Sequence, residues 1–116
     1  VSEVTYYLAT PYSKYYRGYE EAFVEACKAS AELIRRGMHI YSPIAHSHPI
    51  AEHGKIDNLD YKIWLSLSLV MLKQCDSLIV LKMPGWDESH GVSEEIKHAE
   101  KWAKPIIYMN WPLMRM

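Results

Sequence analysis

Residues 85–99 read GWDESHGVSEEIKHA and carry two adjacent carboxylates, Glu94 and Glu95, just after a glycine-containing turn. A carboxylate so placed can act as a nucleophile, or both can be ordinary solvated helix residues. Helical spacing separates the two. At about 100° per residue, Val92, Ile96, Ala99 and Ala103 gather into a buried stripe. Glu94 falls opposite, beside Lys97 and Lys101, and pairs with Lys97 as a solvated surface residue. Glu95 falls about 70° from the stripe centre, at the border of the buried face near the helix start. A helix N-terminus favours anions, so Glu95 is expected to be ionised and half-buried, a state that suits a nucleophile. The same border position also suits a structural glutamate. Ser89 reads as an N-cap, and Gly91 lets a ligand approach the backbone, where free N–H groups can hold a phosphate. The plain alternative is a cap with no ligand.

A second chemistry lies in PIAHSHPIAEHGKIDN, residues 43–58. His46 and His48 stand two apart after a strand, with His53 nearby, and two imidazoles plus a carboxylate can hold zinc or iron. The segment is Pro-flanked and reads as a long polar loop, a common place for function. Hydrogen-bonded loop histidines are the competing reading, and no metal is expected.

These residues need a scaffold. Val4–Ala9 is a short apolar run, read as a buried strand ending at Thr10-Pro11. Residues 19–36 follow a helical period through Ala22, Ala26, Ala29 and Leu33, with Gly37 as C-terminal cap. His39–Ser42 is a second strand. Residues 59–74 alternate in part like a strand, but their length without Gly or Pro favours a helix. That helix is apolar on nearly every side, so Trp64, Leu67 and Met71 point to a homo-oligomer interface (dimer or tetramer) or to burial on the sheet. Asp76–Lys82 is a third strand, 90–103 a helix, and Pro105–Met109 a fourth strand. Strands alternating with helices predict an α/β, Rossmann-like or flavodoxin-like three-layer fold with a small parallel sheet of about four to five strands. Ligands bind beyond the carboxyl ends of such strands. Thr10–Ser13, the 43–58 segment and Pro84–Gly91 converge there.

Composition narrows the classes. The chain has 116 residues, 49 % of them apolar, enough for one domain spanning 1–116. A net charge of −1 without long runs of one sign argues against a nucleic-acid polymer as partner. Cys27 and Cys75 lie far apart, which disfavours a disulfide framework or a cysteine zinc site. No signal segment or membrane-spanning run is visible, so the expected location is cytoplasmic and no membrane partner is expected. The chain begins at Val1 rather than Met, which suggests a short missing piece at the front.

YYLATPYS, YSPIAHSHPI, CDSLIVLKMPGWDESHGVSEEI and KPIIYM together resemble an uncharacterised bacterial and phage branch. That branch is similar to the nucleoside 2-deoxyribosyltransferase superfamily, which includes the 2′-deoxynucleoside 5′-monophosphate N-glycosidases. The resemblance implies an N-glycosidic reaction without a cofactor on a small nucleoside or nucleotide. It places the nucleophile on Glu95, through the spacing Ser89-x-Gly91-Val92-x-x-Glu95, and the residue holding it on Tyr7. It implies substrate contacts from Thr10, Pro11, Ser13 and Ser89, with Ser89 favouring a 5′-phosphate, and it places His46 near the base. The superfamily has an aspartate on the helix before the third strand, where this chain has Ser68. A serine cannot supply a carboxylate acid or base, so Asp60 or Asp87 is the candidate substitute. The chain also ends soon after the fourth strand, without the longer tail that reaches a neighbouring subunit's site in relatives. The competing readings are a catalytically inactive nucleotide-binding module and a metal-dependent hydrolase using the His46/His48 segment.

Overall fold

The computed structural model describes residues 3–113. The apolar runs form four parallel strands: β1 (Thr5–Ala9), β2 (His39–Tyr41), β3 (Ser77–Lys82) and β4 (Ile106–Asn110). They are joined by α1 (Tyr19–Arg35), α2 (Pro43–Gly54), α3 (Tyr61–Gln74) and α4 (His90–Lys101). The strand order is β2-β1-β3-β4, so the chain winds outward to β2, then returns across β1 to start β3. Right-handed crossovers send α1 to one face of the sheet and α3 and α4 to the other, because the winding direction reverses between them. The result is a flavodoxin-like three-layer α/β fold.

Side-chain alternation along the strands divides the core accordingly. Tyr7, Ala9, Leu78 and Val80 pack with Leu72, Val92 and Ala99 from α3 and α4. Leu8, Ile79 and Leu81 pack with Ala22, Ala29 and Leu33 from α1. The register pairs Tyr7 with Tyr41 on one side and Leu78 on the other. At the start of these strands, Asp76 Oδ2 accepts from the Thr5 N–H (2.8 Å) and hydroxyl (3.2 Å), pinning β1 to the β3 entry. Gly37 caps α1 as expected: its N–H bonds the Ile34 carbonyl, the Met38 N–H bonds Leu33, and its φ is 89°. Among the described residues no helix is long and apolar enough to cross a membrane.

Two expectations are corrected. Residues 43–54 are helix α2, not loop. Ser42 Oγ accepts from the Ala45 N–H (3.1 Å) as N-cap, and Pro43 occupies the first turn, where its missing N–H costs nothing. Ala103 is exposed rather than part of the α4 stripe, because α4 has ended and Ala103 sits at φ 54° in its C-terminal cap. Of the two readings of α3, full burial on the sheet does not hold within one chain: only Leu72 is fully buried, and Ile63 (47 %) and Val70 (57 %) are exposed.

Candidate active site

The strand order reverses between β1 and β3, and the crevice beyond their carboxyl ends is where this topology places ligands. A cleft of about 250 Å³ lies there, walled by the β1 loop, the start of α2, the face of α3 and the first turns of α4. Two loops must approach closely to close its rim. A Cβ on Gly85 would lie 2.1 Å from the Lys14 carbonyl oxygen, so only glycine fits, and Gly85 also adopts φ 95°.

Glu95 lines this cleft but is 5 % exposed, not half-buried. Its carboxyl Oε2 accepts a hydrogen bond from the hydroxyl of Tyr7, a fully buried residue of β1. Burial pushes the Glu95 pKa up to about 8, with the Tyr7 bond opposing it. The expected ionised state is therefore wrong for the free protein at neutral pH. Glu95 is the sixth residue of α4, beyond the first turn where the helix dipole acts, so desolvation wins. Burial also drives the Tyr7 pKa well up, reinforced by the adjacent Glu95 and eased by a hydrogen bond with Ser68. Glu94 pairs with Lys97 (3.1 Å) as expected, though its side chain is only 19 % exposed.

Thr10, Ser13, Ser68, Ser89 and Gly91 all line the cleft. Thr10 Oγ1 is buried without a hydrogen-bond partner among the described residues, a hydroxyl that a ligand can satisfy. Ser89 caps α4, its Oγ accepting from the Val92 N–H (3.2 Å). Among the described residues, the His90 and Gly91 N–H groups ahead of it have no backbone acceptor. A Cβ at Gly91 would meet nothing closer than Ser89 Oγ at 3.9 Å, so neither packing nor backbone strain requires glycine there. Pro11 is buried and off the cleft wall, and Asp87 is exposed and off it as well. Asp60, at the N-cap of α3, is likewise absent from the wall. His46 is exposed and packs by Tyr41 (5.7 Å between rings) rather than entering the cleft.

On helix α2, His46 and His48 are two residues apart and thus diverge by about 200°, which removes them as a shared metal pair. His48 instead turns inward. Its Nδ1 meets the Tyr12 hydroxyl (2.5 Å) and its Nε2 meets Glu20 Oε1 (3.0 Å). Glu20, His48 and Glu52 have ligand atoms within 4.8 Å of one another.

Sequence reasoning placed the Thr10–Ser13 and 43–58 segments at the site without singling out Tyr12 or Asn58, missed Tyr61, and read Trp64 as an interface or buried residue; all four line the cleft. Part of this was readable. Tyr61, Trp64, Leu65 and Ser68 recur at helical spacing and share one face of α3.

The fold and cleft define a doubly wound α/β protein with a buried carboxylic acid at its switch point. The family model described as a domain of unknown function (DUF1937) matches residues 4–111, and the chain belongs to that family. No curated protein matches it.

Proposed function

We propose that this protein is a nucleoside 2-deoxyribosyltransferase-like enzyme that cleaves or transfers the N-glycosidic bond of a nucleoside or its 5′-monophosphate. The observation that carries the reading is Glu95, a buried carboxyl held by Tyr7 on the wall of the switch-point cleft. In its anionic form Glu95 attacks C1′ of the sugar. The C1′–O bond forms as the C1′–N bond breaks, and the electron pair leaves with the base. Water or a second base then attacks C1′ and frees the carboxylate, as in retaining glycoside cleavage. Trp64 and Tyr61 offer apolar walls for a base, and the His90 and Gly91 N–H groups offer an anion site for a 5′-phosphate.

The test is a chromatographic screen for free base from a panel of nucleosides and 5′-monophosphates. Release from at least one compound, abolished by Glu95→Ala, is the expected result. Release undiminished in Glu95→Ala would exclude Glu95 as nucleophile. Ser68, where a second carboxylate is expected, favours a second reading: a nucleotide-binding module without turnover. Calorimetry that shows nucleotide binding with no base release selects it.

The enzyme is further proposed to act in the cytoplasm and as a homo-oligomer, with a second copy covering the exposed face of α3. Residues 63–72 contain no charge, and Ile63 and Val70 stand exposed on one face of α3 with Ser66 between them, a face that a second copy related by a twofold axis can cover.

A further inference from the structure

Glycosidic cleavage by Glu95 leaves an electron pair on the departing nitrogen, which needs a proton. Besides Glu95, the ionisable residues on the cleft wall are Tyr12, Tyr61 and His90. Tyr61 and His90 are exposed and pack on each other, 4.5 Å between ring centres. Tyr12 differs, because it is wired into the protein. Its oxygen accepts from Asn58 Nδ2 (3.2 Å) and shares a hydrogen with His48 Nδ1 (2.5 Å). The other His48 nitrogen bonds the Glu20 carboxylate (3.0 Å). The ring itself is fixed, stacked on Phe23 with centres 4.5 Å apart and an interplanar angle of 22°. His48 is 8 % exposed and the Glu20 side chain 67 %, so the chain of bonds runs from the cleft wall to solvent. Carboxylate, imidazole and hydroxyl in series is the arrangement that orients a proton-transfer group.

We propose that Tyr12 is the acid–base partner of Glu95, with His48 and Glu20 as positioning residues; this rests on the glycosidase reading above. In the proton-loaded state His48 Nδ1–H donates to Tyr12, whose own O–H faces the cleft. As the C1′–N bond breaks, the base nitrogen takes the Tyr12 proton and Tyr12 takes the Nδ1 proton. His48 is left neutral, with Nε2–H still on Glu20. When water attacks C1′ of the Glu95 ester, Tyr12 removes its proton and returns one to His48. Substrate and water become free base and free sugar, and every group is restored. Burial raises the Tyr12 pKa, which keeps the phenol protonated between cycles.

The test compares single-turnover base release from 2′-deoxyguanosine 5′-monophosphate and its 7-methyl derivative, whose base is cationic before cleavage and departs neutral without a proton. Tyr12→Phe is expected to slow the unmethylated substrate about 10²–10⁴-fold while the methylated one changes little. His48→Gln and Glu20→Gln are expected to show the same selectivity with smaller losses. Glu20 is exposed, so its variant does not threaten the fold. Equal losses on both substrates, or none on either, overturn the assignment of Tyr12 and leave the glycosidase reading standing. Loss of wild-type activity in chelator, matched by Glu52→Gln, overturns it in favour of a cation at Glu20, His48 and Glu52. A wild-type protein that releases no base from any nucleoside or 5′-monophosphate of the panel overturns both readings.

Discussion

The Tyr7 hydroxyl donates to Glu95 Oε2 across 88 residues of sequence, joining the central strand to the helix that follows β3. This bond opposes the rise in the Glu95 pKa that burial causes. Tyr7→Phe therefore moves the Glu95 titration to still higher pH. The rising limb of the pH–rate profile of base release is expected to shift upward with it.

Glu95 also links pH to stability. Below its ordinary pKa of 4.5 the carboxyl is protonated in folded and unfolded chains alike. Between 4.5 and about 8 the unfolded chain has lost the proton and the folded chain keeps it, so stability falls as pH rises. The slope reaches at most about 1.4 kcal/mol per pH unit and vanishes above the folded pKa. Glu95→Gln, which still accepts from Tyr7, removes this slope. Urea unfolding across the window is expected to show the variant more stable than wild type above about pH 8, yet inactive.

The fold was legible because hydrophobic period and strand–helix alternation are local signals, and β1, α1, β3 and α4 carry them strongly. Helix α2 escaped because Pro49 and three histidines mask a weak amphipathic pattern; the Ser42-Pro43 start was its readable sign. In the site, spacing separated Glu95 from Glu94 but not its depth, which depends on Tyr7 and α3 closing over it. The Tyr12–His48–Glu20 chain joins three distant segments and has no spacing to read.

The contact between Gly85 and Lys14 predicts a local but costly defect. A Cβ at residue 85 meets a backbone oxygen at 2.1 Å, and the chain cannot yield there without moving the β1 loop. The positive φ alone costs an alanine about 1–2 kcal/mol. Gly85→Ala is expected to lower stability by more than that and to weaken nucleotide binding by displacing Ser13 from the cleft rim. Urea titration and calorimetry read the two effects separately.

The apolar face of α3 predicts the assembly state. Ile63 and Val70 lie seven residues apart, two turns along one exposed face. Light scattering is expected to give a dimer or tetramer mass. The double variant Ile63→Glu, Val70→Glu is expected to run as a single chain with its helical content unchanged. A monomeric wild type would refute the oligomer.

Ala103 offers a gain in stability. It occupies the left-handed position after α4, where its N–H bonds the Glu100 carbonyl (3.1 Å) and the Lys104 N–H bonds Ala99 (2.9 Å). These are the two bonds of a Schellman cap, usually built on glycine, as Gly37 does for α1. The left-handed conformation strains an alanine Cβ by about 1–2 kcal/mol, partly offset by the greater unfolded freedom of glycine. Ala103→Gly is therefore expected to stabilise the protein by about 0.5–1 kcal/mol, read as a higher urea midpoint at unchanged slope. The site is exposed and on the far end of α4 from Glu95, so base release should not change.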